Sequence, residues 1–425
     1  MELLIESISH NGEGVARNGG KVVFIPYAIP GELVKAEIIE EKKKYSRGIL
    51  REIVKQSPHR IEPKCPYYYH CGGCSYQHVN YNQQLILKKS ITKEIMIRIG
   101  GINPTIKSVI DMQESWNYRN KVLWHICDSR DGKKIGFYRY ESKKLIEIDN
   151  CPLLLPELNK ISFLIKEMLP EIYLEGNSSI MLRQSSDSNQ TILEFINCFA
   201  DRKLVNRLSR EIDNIYEKRD GRTKIIAGQG LIKEKAGECY FLLGADDFFQ
   251  VNPEQSESMI NTVAEYLNLS GHNKVLDAYC GAGMFALNIA DKAVSVVGID
   301  SNIWAVRNAR RNAELNSIEN CQFISGQCEV ILSKLQNSFD RIIVNPPRTG
   351  VKPEVINAIV NIYPEIVVYV SCNPATLARD IKQLVNNSYN VANIQPIDMF
   401  PQTSHIENIV LLRKKVNYCS IIGNK

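Results

Sequence analysis

Cys372 stands at the end of an apolar run, in the stretch IVVYVSCNPATLARD (366–380). The run is rich in β-branched residues and too short for a helix, so it predicts a buried strand followed by a helix. Asn373 suits the N-cap and Pro374 the first helical position. The positive end of the helix dipole would then favour the thiolate of Cys372, which predicts a nucleophile. The competing interpretation is a packing residue, because unpaired cysteines are often buried.

A second group of residues predicts a nucleoside site. In VLDAYCGAGMFALNIA (275–290) a strand ends at Asp277, and Gly281 and Gly283 let the backbone pass close to a ligand. Asp300 ends the next strand, where such folds bind a ribose. Prolines in NPPR (345–348) must leave the sheet and form a rigid lip over the site. The six-residue glycine fingerprint of dinucleotide sites is absent, so the pattern favours S-adenosylmethionine over a nicotinamide cofactor.

A third group is a cysteine cluster. Cys65, Cys71 and Cys74 have the spacing C-x5-C-x2-C, and CGGC (71–74) supplies a sharp turn that lets thiolates converge. With a fourth ligand from elsewhere, such a set fits either tetrahedral zinc or an iron–sulfur cluster. The remaining cysteines are interpreted as packing residues: Cys127, Cys198, Cys239, Cys280, Cys321, Cys328 and Cys419.

Charge is unevenly distributed along the chain. Residues 57–160 hold 16 Lys and Arg against 10 Asp and Glu, whereas the net charge of the whole chain is +5. Many tyrosines and two tryptophans interleave with these cations. Cations suit phosphates and flat rings suit unstacked bases, so the segment predicts binding of single-stranded nucleic acid. A solvated basic face over a separate aromatic core is the alternative.

The elements that must position these residues fall into three predicted domains: residues 1–56, 57–247 and 248–425. The first alternates short apolar runs with turn signals at Gly19-Gly20 and Pro30-Gly31, which predicts a small OB-like β-barrel. The second, an α+β domain with the four-cysteine cluster, contains a helical pattern at 81–100. In the third, strands and helices alternate, which predicts a doubly wound, Rossmann-like α/β domain.

Composition limits the classes of protein to which the chain can belong. The chain has 425 residues, of which 44% are apolar and 23% charged, as in ordinary globular proteins. The start lacks a basic region before an apolar stretch, and no run of about eighteen apolar residues occurs, so we expect neither secretion nor a membrane span. Clustered cysteines in a reducing cytoplasm indicate metal binding or catalysis before disulfides.

The chain resembles the RNA uracil-5-methyltransferases. The motifs FFQVNPEQSESM (248–259), LDAYCGAGMF (276–285), VNPPRTG (344–350), VSCNPATLARD (370–380) and MFPQTSHIENIVLL (399–412) occur in the order of that family. The segment RIEPKCPYYYHCGGCSYQHVNYNQQLILKK (60–89) is similar to the iron–sulfur segment of its ribosomal RNA branch, and residues 1–56 to its TRAM domain. The strongest resemblance is to bacterial enzymes that make 5-methyluridine in 23S ribosomal RNA.

The resemblance implies roles for single residues. Cys372 would attack carbon 6 of uracil, and Glu407 would remove the proton from carbon 5. The cofactor contacts implied for S-adenosylmethionine are Gln250, Tyr279, Asp300 and Asn345. The family usually has aspartate before Pro-Pro, where this chain has Asn345. An amide can form hydrogen bonds but carries no negative charge, so the role of Asn345 is open.

The resemblance also implies a cluster, a partner and a location. Cys151 would be the fourth ligand beside Cys65, Cys71 and Cys74, and the group would be a [4Fe–4S] cluster with a structural role. We expect RNA, rather than DNA or a membrane, as the partner of a cytoplasmic monomer. The alternatives are a transfer RNA uracil-5-methyltransferase and a ribosome-assembly factor that has lost turnover, because of Asn345.

Overall fold

The computed structural model of the chain describes residues 1–335 and 339–415. Cys419, for which the sequence suggested a packing role, lies outside these residues. None of the helices in the described part of the chain is long and apolar enough to cross a membrane.

The first sheet closes into a barrel. It contains six strands: β1 (Glu2–Leu4), β2 (Ser7–Ile8), β3 (Gly14–Asn18), β4 (Lys21–Ile25), β5 (Leu33–Glu41) and β6 (Tyr45–Lys55). Their order is β1-β5-β6-β4-β3-β2, and the two edge strands are separated by only two residues of chain, so the sheet must curl until its edges meet. Gly19 and Gly20 both have positive φ, as the tight turn between β3 and β4 requires. The predicted barrel is confirmed.

A single helix precedes the second sheet. It is α1 (Tyr81–Ile95), which continues into a π-helical turn at Met96–Gly100, and the side chain of Asn80 caps its start by accepting from the Gln83 N–H. The predicted helical pattern at 81–100 is therefore confirmed.

The second sheet is mixed, and its helices pack on one face. In chain order its elements are β7 (Lys121–Ser129), β8 (Gly132–Tyr138), β9 (Leu145–Glu147), α2 (Pro156–Glu167), β10 (Tyr173–Gln184), β11 (Thr191–Phe199), α3 (Arg202–Leu208), β12 (Asn214–Arg219) and β13 (Arg222–Ala227). The strand order is β13-β12-β11-β10-β7-β8-β9. Along α2, Leu158, Ile161 and Ile165 share one helical face and are buried against the sheet with Trp124 and Phe195.

The third sheet is the predicted doubly wound one. After a hairpin of β14 (Ile232–Ala236) and β15 (Cys239–Leu243), strands and helices alternate: α4 (Pro253–Leu267), β16 (Lys274–Ala278), α5 (Met284–Asn288), β17 (Ser295–Asp300), α6 (Ile303–Leu315), β18 (Cys321–Ser325), α7 (Cys328–Ile331), β19 (Arg341–Val344), α8 (Pro353–Ile362), β20 (Ile366–Ser371), α9 (Pro374–Asn386), β21 (Tyr389–Ile397) and β22 (Glu407–Lys414). The order is β18-β17-β16-β19-β20-β22-β21. The first five strands of that order are parallel, and β22 is antiparallel to both of its neighbours.

Both faces of this sheet carry a core. Along β20, Val368 and Val370 belong to one apolar cluster, while Val367 and Tyr369 belong to the other, as the period-two alternation of a strand requires. Helices α4, α5 and α6 cover the first face, and α7, α8 and α9 the second. The π-helical turn after α1 packs on α9. Residues from the predicted middle domain thus join the third core, and the boundaries near 56 and 247 stay predictions.

Candidate active site

A cleft of about 950 Å³ opens at the carboxyl ends of the parallel strands. In this fold class ligands bind at that edge, where the strand order reverses, which here is between β16 and β19. The cleft is lined by all six residues that the sequence singled out for cofactor binding and catalysis: Gln250, Tyr279, Asp300, Asn345, Cys372 and Glu407.

The loop after β16 and the end of β17 form the predicted nucleoside edge. The N–H of Gly281 donates to Asp300 Oδ2 at 3.0 Å, and the N–H of Asn302 donates to Oδ1 at 2.8 Å. These bonds fix the carboxylate, while each oxygen keeps a lone pair for a ligand hydroxyl. Gly281 has φ +55, and a Cβ placed on it would meet no atom within 4 Å, so the loop borders open space. Tyr279, with φ +66, holds a conformation that is uncommon for an aromatic residue. The loop therefore fits a nucleoside cofactor.

The joint between β20 and α9 has the predicted geometry. Asn373 Oδ1 accepts from the Ala375 N–H at 3.0 Å, and Pro374 is the first helical residue. Cys372 lies immediately before this cap and is half-buried in the cleft wall.

The charges around Cys372 differ from those expected. Burial raises the pKa of its thiol above the ordinary value, the Glu407 carboxylate raises it further, and the Arg348 guanidinium lowers it. The net shift is upward because loss of solvent outweighs the groups that favour the thiolate, so the predicted position at the helix terminus does not by itself lower the pKa of Cys372. The positive charge of Arg348 opposes the effect of burial.

Glu407 opens β22 beside Cys372 and Arg348. Burial raises the pKa of Glu407 to about 8, although Arg348 opposes the shift. His405 lies 3.2 Å from Arg348, between Nδ1 and Nη2, and partial loss of solvent together with nearby cations lowers its pKa to about 4. A carboxyl that titrates near neutral pH suits a general base better than an imidazole that titrates near 4.

Helix α1 holds the segment that carries Glu407. Lys88 is fully buried, forms an ion pair with Asp398, and donates to the Phe400 carbonyl at 3.0 Å. Gln84 exchanges hydrogen bonds with Gln402 at 3.0 and 3.1 Å. The chain segment that leads into Glu407 is thus held in place by buried polar contacts from a distant part of the chain.

The loop that carries Cys71 and Cys74, called the cysteine loop below, contacts the segment before Glu407 from another side. Ser75 Oγ accepts from the Ser404 N–H at 2.7 Å, and the Gln402 carbonyl accepts from the N–H groups of Ser75 and Tyr76 at 3.1 and 2.9 Å. Ser75 follows Cys74 directly. The predicted cluster loop and the predicted base are therefore linked through one short run of backbone.

The four cysteines expected to hold a cluster surround a separate cavity of about 380 Å³: Cys65, Cys71, Cys74 and Cys151. Burial raises the pKa of each thiol, to about 11 for Cys151. The thiols also raise one another's pKa. Within residues 1–335 and 339–415, no three His, Cys, Asp or Glu side chains form a group suited to one metal ion.

Two further residues of the cleft were missed as site residues by sequence reasoning. The sequence showed Arg348 only as the residue that follows Pro-Pro. Its proximity to Cys372 depends on how the ends of β19 and β20 lie next to each other. Phe248 lines the cleft with 77% of its surface exposed. An aromatic pair immediately before Gln250 was the available signal. Buried Arg183 supports this stretch by donating to the carbonyls of Asp247 and Phe249.

Comparisons with known proteins show the family of the chain. A family model described as tRNA (Uracil-5-)-methyltransferase matches residues 200–415, and a TRAM domain model matches residues 1–50. An uncharacterized RNA methyltransferase of Halalkalibacterium halodurans is 34% identical, with 98% of this chain and 97% of the relative covered. Another, of Caldanaerobacter subterraneus subsp. tengcongensis, is 36% identical, with 97% and 98% covered.

A solved structure shares the arrangement of the whole chain. It is the Pyrococcus abyssi tRNA (uracil-54, C5)-methyltransferase in complex with S-adenosyl-L-homocysteine, with 27% identity and a TM-score of 0.77. The similarity covers 97% of this chain and 100% of that one.

Proposed function

Because the chain belongs to the RNA uracil-5-methyltransferase family and is an S-adenosylmethionine-dependent RNA methyltransferase, we propose that it methylates carbon 5 of a uridine in 23S ribosomal RNA through a covalent adduct of Cys372. The observation that carries the proposal is the convergence of Cys372, Arg348 and Glu407 in the cleft that also contains Asp300. A nucleophile, a cation and a base thereby face the space beside a nucleoside-binding edge.

Cys372 starts the reaction as a nucleophile. Carbon 5 of uracil is a poor nucleophile, and addition of the thiolate to carbon 6 converts the ring into an enolate that is reactive at carbon 5. Arg348 supplies positive charge near the sulfur, so it favours the thiolate that burial opposes. Phe248 offers an exposed ring in the same cleft, on which a base can stack.

The cofactor contacts are proposed at the strand ends. S-adenosylmethionine, when bound, supplies an electrophilic methyl group. Asp300 is placed to accept hydrogen bonds from the ribose, and Gln250, Tyr279 and Asn345 line the remainder of the cleft. Asn345 provides amide hydrogen bonds without a negative charge.

Glu407 completes the reaction as a base. Once carbon 5 carries the methyl group, Glu407 accepts the proton that remains there. The electrons of the broken C–H bond form the double bond between carbons 5 and 6, and the bond from carbon 6 to sulfur breaks to release the Cys372 thiolate. A pKa of about 8 makes the carboxylate a stronger base than an exposed glutamate.

We also propose that Cys65, Cys71, Cys74 and Cys151 bind a [4Fe–4S] cluster. The support is their placement around one cavity of about 380 Å³ and the C-x5-C-x2-C spacing. A single zinc ion needs ligands that converge on one point. Thiols arranged around a larger cavity suit a cluster better. Its role is structural, because the proposed methyl transfer needs no electron transfer.

A fluorinated substrate tests the covalent mechanism. The protein is incubated with S-adenosylmethionine and 23S ribosomal RNA transcribed with 5-fluorouridine in place of uridine. Fluorine cannot leave as a proton, so the thiolate cannot be expelled, and we expect a denaturation-resistant adduct that maps to Cys372 and depends on S-adenosylmethionine. Normal product formation without an adduct, or an adduct on another cysteine, would overturn the mechanism.

Transfer RNA is the second candidate substrate. The Pyrococcus abyssi structure, a tRNA (uracil-54, C5)-methyltransferase, matches almost the whole chain and favours this alternative. Mapping 5-methyluridine in ribosomal and transfer RNA from cells with and without the protein separates the two. Loss of the modification from 23S ribosomal RNA alone supports the first proposal, and loss from transfer RNA supports the second. For either RNA we propose a monomer that acts in the cytoplasm and does not bind DNA.

A further inference from the structure

Three concave surfaces of the molecule adjoin one another. The catalytic cleft and the cysteine cavity share Gly73 and Arg119 in their walls. The cysteine cavity and a third cavity of about 300 Å³ share Arg139, Tyr140 and Glu141. The cysteine cavity therefore lies between the catalytic cleft and the third cavity, which is at the junction between the barrel and the turn after β8.

The third cavity is lined by tyrosines from three parts of the chain. Tyr27 comes from the barrel, Tyr69 from the cysteine segment and Tyr140 from the turn after β8. Tyr69 is 48% exposed and Tyr140 is 37% exposed, so both offer ring surface to a ligand. Tyr27 packs edge-to-face on Tyr69, with ring centroids 5.3 Å apart.

The backbone at Tyr27 is strained in a way that serves this arrangement. Its φ is +65, a left-handed conformation that is unfavourable for a bulky residue. The conformation directs the ring out of the barrel and onto the cysteine segment, where it contacts Tyr68 as well as Tyr69. Tyr27 therefore forms the fixed wall of the cavity, and Tyr69 its accessible wall.

Charged groups of both signs border the cavity. Arg139 is exposed, and Arg47 lies between two carboxylates, 2.8 Å from Glu141 and 3.4 Å from Glu13. Glu13 is 3% exposed, and the contact of Arg47 at 3.4 Å is to its Oε1, so this buried carboxylate already faces a cation. The cations at the border of the cavity suit the phosphate oxygens of a nucleotide.

We propose that the third cavity is a second nucleotide site, which binds an unpaired base of the RNA whose target uridine occupies the catalytic cleft. This inference rests on the proposed function. Stacking on Tyr69 and Tyr140 supplies the binding energy, and Arg139 contacts the phosphate. Every base has a flat face, so the site does not select a sequence but sets how far the RNA must reach beyond its target.

Single substitutions test the site on the full-length protein. With unmodified 23S ribosomal RNA as the probe, Tyr69→Ala should weaken equilibrium binding and raise KM by about tenfold, since one stacked base contributes that much or more. The value of kcat should stay within about twofold. Tyr69→Phe keeps the ring and should bind as the wild type does. Tyr173→Ala removes a ring of similar exposure that lines none of the three cavities, and it serves as the matched control.

A direct readout complements the kinetics. Ultraviolet crosslinking of the wild-type protein to the same RNA should join a base to Tyr69 or Tyr140, and the crosslinked nucleotide should lie outside the methylated position. A purely structural role for Tyr69 would lower the melting temperature of Tyr69→Ala without changing RNA binding by the folded protein. That result, or crosslinks confined to the catalytic cleft, would overturn the proposal.

Failure of this inference differs from failure of the proposed function. If the wild type methylates RNA but Tyr69→Ala binds it equally well, the second site is wrong and the function stands. If the wild type methylates no RNA, yet Tyr69→Ala weakens binding and the crosslink is found, the site stands and the reaction is wrong.

Discussion

Two cysteine environments in this molecule share burial and differ in charge. Burial raises the pKa of Cys372 in the catalytic cleft and of Cys74 in the cysteine cavity. Arg348 opposes the shift at Cys372, whereas the other thiols of the cavity reinforce the shift at Cys74. Cys372 can therefore ionise alone, next to a cation that the chain provides. The thiols of the cavity can ionise together only when metal cations take the place of their protons.

The comparison shows that burial does not decide what a cysteine does. A thiolate becomes a nucleophile where one cation and open space lie beside it, and a ligand where several thiolates share one space. Substitutions that alter these neighbours should change one environment and leave the other intact.

Removing Cys372 should have the largest effect. Cys372→Ala lacks the nucleophile, so turnover should fall by at least about 10⁴-fold, and no adduct should form with 5-fluorouridine RNA. Binding of S-adenosylmethionine, measured by calorimetry, should change little because Asp300 and Tyr279 remain. Cys321→Ala is the matched control: it removes a half-buried cysteine of β18, outside the cleft lining, and should keep turnover. Normal turnover by Cys372→Ala would return this residue to a packing role.

Glu407→Gln should separate bond formation from release. The amide cannot accept the carbon 5 proton, so release should slow by about 10²–10⁴-fold, and adduct should accumulate on ordinary uridine. Denaturing gels detect the adduct. The same variant should be more stable than the wild type at pH 9, by about 5 kcal/mol, because the folded pKa of about 8 lies above the unfolded value of 4.5 and ionisation of the buried acid destabilises the fold as pH rises. Equal stability of both proteins at pH 9 would contradict the buried-acid assignment.

Arg348→Met should make Cys372 resemble a thiol of the cavity. Without the guanidinium the pKa values of Cys372 and Glu407 should both rise, so the ascending limb of the pH–rate profile should move to higher pH. At pH 7.5 turnover should fall by about 10²-fold, the usual cost of losing one charged group that acts on the reacting atoms. Arg413→Met, at an exposed position of β22, should leave the profile unchanged. An unshifted profile in Arg348→Met would show that Arg348 does not influence the ionisation of Cys372.

Cys74→Ser should affect colour first and catalysis second. The native protein should be brown, and this variant should lose the charge-transfer absorption because one ligand of the cluster is missing. Turnover should fall by about tenfold, as losing a supporting contact of a site typically costs, since Ser75 and Gln402 link this loop to the segment of Glu407. Cys127→Ser should stay brown and active. A colourless, active wild type with stoichiometric zinc would rule the cluster out.

Asn345→Asp should have the smallest effect. The oxygen that accepts hydrogen bonds survives the exchange, so affinity for S-adenosylmethionine should change by no more than about tenfold, or 1.4 kcal/mol. Titration calorimetry measures it. If only the aspartate variant turned over, the assembly-factor alternative would be favoured.

Local patterns in the sequence were enough to predict the doubly wound sheet, the barrel and the cap at Asn373, because each depends on neighbours in the chain. Of the six predicted residues that line the cleft, all but Asp300 and Cys372 came from the family resemblance. The helix terminus beside Cys372 is visible in the sequence, whereas the burial that raises its pKa is not. Nor could sequence bring Arg348 to Cys372 or Tyr27 to Tyr69, since those contacts depend on how separate elements pack.

The hydrogen bond between Ser404 and Ser75 joins residues 329 positions apart. At a usual rate of synthesis of about 5–20 residues per second, some 15–65 s separate the appearance of these two residues on the ribosome. Throughout that time α1 and the cysteine loop lack the segment before β22 with which they form hydrogen bonds. A chain that ends before Asp398 would leave the buried ammonium of Lys88 without its partners and would remove the contacts of Gln84 with Gln402, so a late truncation would damage a part of the protein that was made long before the break.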